Sequence, residues 1–405
     1  MQLNILNQIV PELVSAQRSV NPTSPQISAA RLALISHLPC QLSGGGMFAV
    51  TWHIWRQLRQ WFPESCFQQV PTPGNWGGML RSRIRRRLLG QRGDFFTFAP
   101  HVLIETSRRV QASVPAGTQA LLFRSSTRWV RCRPEIPYFV HTDACFHTYC
   151  RNKHAEGEFA CDDLRRIWDE ERAFLEAAAG VFFESHWALE QARAAYELRG
   201  SHYYTVGVAG GMELPRQAAP ATAVTRLISI ANNFRQKGGD LTFAAFKLLQ
   251  PRFPQLQWHI VGGRPDYGVS RWPGIVYEGF LNIDSQADLL RYAALMNETS
   301  LLIHPTREDM NPLVLIEAAG YGCPAVSVQD FAIPELVTHG ETGLLLPRPV
   351  TPESLAAAIE TLICDPLRYQ QMRASARERA LKQFSWDVVG TRMATLINDI
   401  LGHGQ

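Results

Sequence analysis

Apolar positions along the chain fall into short continuous runs that alternate with stretches at helical spacing. Arg31 to Ile35 (RLALI) is a short apolar run suited to a parallel strand buried on both faces. A loop, SHLPCQLSGGG, comes next, and then MFAVTWHIWRQLRQWF, whose apolar residues recur at helical spacing. HVLIET (101–106), ALLFRS (120–125), PYFVHT (137–142) and GVFFES (180–185) read as further strands. DDLRRIWDEERAFLEAA (162–178) reads as an amphipathic helix, and WALEQARAAYEL (187–198) as a helix with Ser185 at its N-cap.

The pattern stops over 207–224 (GVAGGMELPRQAAPATAV), a Gly-, Pro- and Ala-rich linker, and a second alternation begins. Strands are expected at 227–231, 257–263, 300–305 and 324–328, and helices at 240–250, 287–296 and 312–322. PESLAAAIETLI and SWDVVGTRMATLINDIL close the chain as helices. Strands alternating with helices predict parallel sheets with crossover helices. The expected fold class is therefore α/β, with two Rossmann-like doubly wound parallel-sheet domains facing a central cleft, where such sheets bind ligands. Residues 1–28, which end in SVNPTSPQ, read as an appendage. The first domain is expected over 29–215 and the second over 216–385.

Composition narrows the function classes. Of 405 residues, 46% are apolar and 19% charged, which excludes whole-chain disorder and collagen-like or coiled-coil architectures. No run approaches 18 consecutive apolar residues, so no membrane-spanning helix is expected. The opening MQLNILNQIVPELV lacks a charged start and a small-residue cleavage site, so no secretory signal is read there. A net charge of +4 is too small to predict nucleic-acid binding. Eight cysteines in a core of this size require no disulfides, and a reducing, cytoplasmic setting is expected. The charge is uneven, however. Arg81 to Arg92 (RSRIRRRLLGQR) holds six arginines and no acid. A basic amphipathic helix there reads as a peripheral contact with an anionic membrane, at its inner face; an anionic-acceptor site or a solvated surface are the rival readings.

The most informative segment is His304 to Gly343 (HPTREDMNPLVLIEAAGYGCPAVSVQDFAIPELVTHGETG). A strand ends at Pro305, and a polar loop carries Glu308 and Asp309. Asn311 is a suitable N-cap and Pro312 a suitable first helical residue, so the helix is expected to open at 312. Unpaired N–H groups and the helix dipole make such an end an anion site, with a diphosphate the obvious occupant. Glu317 lies within the apolar helix LVLIEAAG, where a carboxylate needs partners. The hydroxyls of a ribose would supply two; a solvent edge or an internal arginine are the alternatives.

This segment resembles the donor-binding signature of retaining GT-B glycosyltransferases of family 4, also called glycosyltransferase group 1. Asp309, seven residues and Glu317 match the family's acid spacing. Gly322-Cys323-Pro324 matches its GxP turn, and Ile333-Pro334-Glu335 and Gly340-Glu341-Thr342-Gly343 match its later Ile-Pro-Glu and Gly-x-x-Gly segments. LISIANNFRQKGGDLTFAAFKLL resembles the family's strand, basic loop and helix, with Lys237 at the phosphate-binding lysine. WHIVGG, ending in Gly262 and Gly263, resembles the next strand and glycine turn. FSWDVVGTRM resembles the closing helix, which in that fold returns (386–405) to the first domain. The match is strong over 180–390, weaker over 30–170, and leaves 1–28 uncovered.

The resemblance implies a transfer of a sugar from a nucleotide-diphosphate sugar to an acceptor glycan, lipid or small molecule, with no cofactor and no metal. It implies Glu317 at the ribose, Asp309 by the donor sugar, and the backbone N–H groups of Met310, Asn311 and Leu313 toward sugar and phosphate. Lys237, with Arg235, would neutralise the leaving diphosphate. Ser43-Gly44-Gly45-Gly46 resembles the loop that approaches the diphosphate from the acceptor side. His141 and Asp143, at the end of PYFVHTD, would lie near the transferred sugar. His141, Cys145, His147, Cys150, His154 and Cys161 invite a zinc reading, but no Cys-x-x-Cys pair occurs, and core cysteines and cleft histidines account for them. The chain departs from the family at Ala231 and Asn232, where a glycine and an arginine are usual, and at Phe331-Ala332, where Gly-Gly is usual. These departures keep a non-catalytic binding protein as the alternative, beside another GT-B activity such as an epimerase or phosphorylase.

Overall fold

The computed structural model describes residues 28–42, 45–217 and 223–402. The appendage read at the start of the chain, and Ser43 and Gly44 of the glycine loop, lie outside them. The first unit runs β1 (Leu32–Ser36), α1 (Gly46–Trp61), β2 (Cys66–Gln69), α2 (Trp76–Leu88), α3 (Pro100–Ser113), β3 (Ala120–Arg124), β4 (Tyr138–Thr142), α4 (Phe146–Lys153), α5 (Cys161–Glu176), β5 (Gly180–Phe183), α6 (His186–Tyr196) and β6 (Tyr203–Thr205). The second runs β7 (Arg226–Ala231), α7 (Gly239–Leu249), β8 (Gln257–Gly262), α8 (Tyr267–Ser270), β9 (Ile275–Gly279), α9 (Gln286–Glu298), β10 (Leu301–His304), α10 (Leu313–Gly320), β11 (Ala325–Val328), α11 (Ile333–Leu336), β12 (Gly343–Leu346), α12 (Pro352–Cys364), α13 (Pro366–Gln383) and α14 (Trp386–Gly402).

Each unit is built on one six-stranded parallel sheet, ordered β2-β1-β3-β4-β5-β6 in the first and β12-β11-β10-β7-β8-β9 in the second. Parallel strands covered by helices on both faces bury every side chain, which is why β1, β3 and β4 are buried along their whole length and why their sequences do not alternate. In each sheet the strand order reverses once: between β1 and β3 in the first, between β7 and β10 in the second. Ligands of doubly wound sheets lie at the carboxyl ends of the strands beside that reversal.

Two expectations are corrected. Residues 101–106 are not a strand but the interior of α3, which opens on Pro100 and buries Val102, Leu103, Thr106 and Val110 at helical spacing. The helix expected to begin at 312 begins at Leu313. Pro312 keeps an extended ψ of 102° as the N-cap residue, and Asn311 does not cap it.

The two units are joined by more than the linker. α14 returns to the first unit, where Trp386, Val389, Met393 and Ile397 are buried in the same cluster as Ile54 and Leu58 of α1. Side chains of this size each contribute about 1.5–3 kcal/mol on full burial. That cluster continues through Val206, just after β6, and Val208 of the linker to Leu302 and Ile316 of the second unit.

Candidate active site

The reversal in the second sheet sets the loop after β7 beside the loop after β10. Gly238 makes the contact close: its φ is +78°, and a Cβ there would stand 2.2 Å from the carbonyl oxygen of Pro305. The neighbouring Lys237 therefore reaches the β10 loop, with Nζ 2.7 Å from Asp309 Oδ2 and 2.8 Å from the Glu308 carbonyl oxygen. His304 Nε2 lies 3.2 Å from the same Asp309 oxygen. Burial alone would push the Asp309 carboxyl up, but the His304 hydrogen bond and the Lys237 charge outweigh it and hold Asp309 below the usual carboxylate range. The group stays ionised. α10 opens four residues later with no side-chain cap; the Leu315 N–H bonds the Pro312 carbonyl at 3.1 Å, and the N–H groups of Leu313 and Val314 open the helix at the same point. Met310 and Asn311 lead into that turn.

Glu317 is half-buried and pairs with no arginine among the described residues. Its Oε1 accepts from the Gly211 N–H at 2.8 Å, and its Oε2 accepts from the Tyr292 hydroxyl at 2.5 Å. Burial pushes its carboxyl up, against hydrogen bonds from Tyr292, Gly211 and Met212. The linker backbone at 210–211 is clamped from the other side as well. His53 of α1 bonds the Gly211 carbonyl at 3.2 Å, Trp386 Nε1 donates to the Gly210 carbonyl at 2.8 Å, and the two rings stack 4.8 Å apart. Glu317 thus holds both its own domain and the hinge.

Arg235 does not join Lys237. It pairs with Asp266 at 2.6 Å and lines a separate hollow with Asn232, Gly263 and Arg264, beyond the bend at Gly262 that ends β8. The departures at 331–332 have a clear local consequence. Phe331 sits at φ +56°, a conformation glycine adopts without strain, and its ring meets Trp187 of the first unit at 5.8 Å. The Ala332 N–H bonds the Met310 carbonyl at 3.1 Å, tying this turn to the site loop. Glu335 accepts from the N–H groups of His186 and Trp187 at 2.8 and 2.6 Å, so a carboxylate of the second unit caps α6 of the first.

On the first unit, Gly45 and Gly46 take φ of +68° and +40° at the N-cap and first position of α1, with open space where side chains would be, which leaves their backbone approachable. Met47 comes next in the chain. It shares a cavity of about 530 Å³ with Asp143 of the first unit and Met310 of the second. His141 does not line that cavity: it is 0% exposed, neither ring nitrogen makes a hydrogen bond although Nδ1 lies 3.7 Å from Glu184 Oε1, and burial with the Arg124 charge holds it neutral. His147 and Trp168 rings pack edge to face, Cys145 bonds Thr148, and His154 bonds Glu158, so the histidines and cysteines of this stretch are engaged separately.

The seam also holds a buried charged group that sequence reasoning misses. Arg124, at the end of β3, is fully buried and pairs with Glu184 at 2.9 Å; Asn311 Nδ2 donates to the other Glu184 oxygen at 3.1 Å across the cleft. Burial pushes the Glu184 carboxyl up, Arg124 pulls against it and the Asp143 carboxylate adds to the rise, which leaves it at about 7. Lys153 of α4 also reaches across, to Glu308. The only sequence signal for Arg124 and Glu184 is a charge at the end of an otherwise apolar strand.

Residues 225–365 match the family model of glycosyl transferases group 1. The matched stretch lies within the second unit. Similar curated proteins include glycogen synthase of Mycobacterium tuberculosis, 33% identical over 102 residues (25% of this chain, 24% of the relative). A second is the GDP-mannose-dependent alpha-(1-6)-phosphatidylinositol monomannoside mannosyltransferase of Mycolicibacterium smegmatis, 27% identical over 177 residues (40% and 45%). D-inositol 3-phosphate glycosyltransferase of Rhodococcus erythropolis is 31% identical over 161 residues (37% and 36%). The chain spans about a quarter of the length of the first and less than half of the others. Among solved structures, sucrose-phosphate synthase from Thermosynechococcus elongatus superposes with a TM-score of 0.67 at 17% identity, over 92% of this chain and 100% of that one. HepE of Anabaena, solved with UDP, gives 0.62 at 15%, over 91% and 100%. The group 1 glycosyltransferase domain thus sits in a GT-B fold.

Proposed function

We propose that the chain is a retaining glycosyltransferase that moves a sugar from a nucleotide-diphosphate sugar to an acceptor hydroxyl, in polysaccharide or cell-envelope glycoconjugate synthesis. The observation that carries this reading is the shared cavity: Met310, one residue after the Asp309–Lys237 pair, lines the same space as Met47 and Asp143 of the other unit. A donor held at the α10 tip would therefore present its sugar to the acceptor side. The diphosphate would take the free N–H groups of the first turn and the Lys237 ammonium. Its negative charge grows as the sugar departs, and preorganised cations and dipoles at that point lower the barrier. Asp309 would stand by the sugar and Glu317 would accept from the ribose hydroxyls. In a front-face path the acceptor proton passes to the departing phosphate oxygen, so a buried neutral His141 is no obstacle.

The GDP-mannose-dependent and inositol-phosphate enzymes among the relatives, and the UDP-bound HepE, support a nucleotide-sugar donor and a hydroxylated acceptor. A peripheral membrane contact through α2 has its own support: Trp76 and Leu88 are 79% and 77% exposed on a helix whose last turn carries Arg85, Arg86 and Arg87.

Incubation with a panel of labelled nucleotide sugars and acceptors, read by product NMR, tests the activity. The expected product keeps the donor's anomeric configuration. An inverted product contradicts the retaining path, and an epimerised nucleotide sugar identifies the epimerase alternative. Neither transfer nor donor hydrolysis with any donor identifies a non-catalytic binding protein.

A further inference from the structure

The cavity at the first sheet's reversal point has a composition that the transfer reaction alone does not require. Its walls are aromatic, from Phe95, Phe98, Phe146, Phe159 and Tyr149. Its ionic groups are unequal in status. Arg86 pairs with Glu158, and Lys153 pairs with Glu308. Arg128 pairs with no carboxylate among the described residues; its Nη1 donates to the Thr72 hydroxyl at 2.8 Å, and its guanidinium lies 5.6 Å from the Phe98 ring centre. Burial pushes Arg128 down, and its charge helps hold the neighbouring His37, itself lowered chiefly by burial, down at about 3. His37 Nδ1 is buried without a partner on the same wall.

A half-buried guanidinium without a counter-ion is costly unless something anionic occupies the space. Ser125 stands beside it at φ +64°, a strained conformation for a non-glycine residue, and also lines the cavity. Arginine and hydroxyls are the groups that recognise the oxygens of a phosphate. Asp143 lines the same cavity near Met310, also without an ion-pair partner among the described residues.

We infer that the acceptor taken by this cavity carries a phosphate group, bound by Arg128 with Ser125, and offers its reacting hydroxyl toward Asp143 and the donor loop. The aromatic walls hold the body between the two. The inference rests on the proposed transfer reaction and names its acceptor class. A soluble sugar or polyol phosphate and a phospholipid headgroup share this chemistry.

The test uses the full chain saturated with UDP or GDP, whichever binds. Calorimetry compares glucose with glucose 6-phosphate, mannose with mannose 6-phosphate, and glycerol with glycerol 3-phosphate. Phosphatidylglycerol vesicles form the lipid arm. At least one phosphorylated ligand is expected to bind about tenfold or more tightly than its neutral twin. Arg128→Gln should remove that preference, Arg128→Lys should restore part of it, and neither should change nucleotide affinity. Vesicle binding lost in Arg128→Gln assigns the phosphate to a lipid; vesicle binding that persists belongs to α2. Equal binding of every neutral and phosphorylated twin with no Arg128-dependent vesicle binding, or a preference that survives Arg128→Gln, overturns the inference. Because nucleotide affinity is measured in the same samples, failure here is distinct from failure of the donor site.

Discussion

Lys237 is the cation that the site loops bring to the α10 tip, and its partners say what removing it does. Asp309 keeps His304 when Lys237 is cut back, so the carboxylate retains one of its two side-chain partners. Lys237→Ala should therefore leave nucleotide affinity within a few-fold of wild type and lower kcat by about 10²-fold or more, as expected for a group whose charge acts on the leaving phosphate. A steady-state comparison of kcat and donor KM checks this; an unchanged kcat contradicts it. At this scale the sequence exposes the acids and the lysine because their spacing is rigid: seven residues of loop and helix separate Asp309 from Glu317. Asn311 defeats a local rule because its role is tertiary. A cap is the local use of an asparagine before a helix, but here its amide is drawn to Glu184 of the other unit, 127 residues away. Phe331 is the opposite case. The glycine usual there is explained by the left-handed backbone, and Phe331 keeps that backbone against a strain of order 1–2 kcal/mol while packing on Trp187.

Among the elements, the long buried strands and long helices are legible in the sequence, and short edge elements are not. HVLIET is six residues with no turn signal inside it, and a short apolar run does not distinguish a strand from a helix segment. The burial of Val102, Leu103, Thr106 and Val110 resolves it as helix. β2 (CFQQ) and β6 (YYT) are sheet edges with polar or half-exposed residues, so they lack the apolar run that marks β1 and β3. The hinge leaves no local trace either, since His53 and Gly211 are 158 residues apart and Trp386 lies 176 residues beyond Gly210. Burial, against the Gly211 hydrogen bond, lowers His53 to about 4. An unfolded histidine titrates near 6.5, so between pH 6.5 and 4 the unfolded chain takes up a proton that the folded hinge refuses. His53 therefore withdraws stability as pH falls through that window, up to about 3 kcal/mol at its lower end, and contributes no slope above it. His53→Gln should give a melting temperature that falls less steeply from about pH 7 to about pH 5 than wild type does. Parallel curves would contradict this account of the hinge.

For the whole molecule, the two similar halves and their linker are readable from pattern, because each half repeats the alternation that a doubly wound sheet demands. The seam between them is not, since it is made of contacts such as Glu335 with α6, Lys153 with Glu308 and α14 with α1 that join distant residues. No helix among the described residues is long and apolar enough to cross a membrane. The arginines and exposed Trp76, Leu80 and Leu88 of α2 instead predict surface attachment. Sedimentation with anionic vesicles should carry the protein down several-fold more than sedimentation with neutral vesicles, and the difference should fall with salt. Equal partition into both would remove the membrane reading without touching the cleft.

The proposed donor site stands or falls with Glu317, whose carboxylate meets the Gly211 N–H on one oxygen and the Tyr292 hydroxyl on the other. Titration calorimetry of UDP and GDP into wild type and Glu317→Ala is the most direct test. Saturable binding by wild type, with a loss of about 100-fold or more in a variant that still melts cooperatively, is the expected result. Equal nucleotide affinity in the two proteins would contradict it.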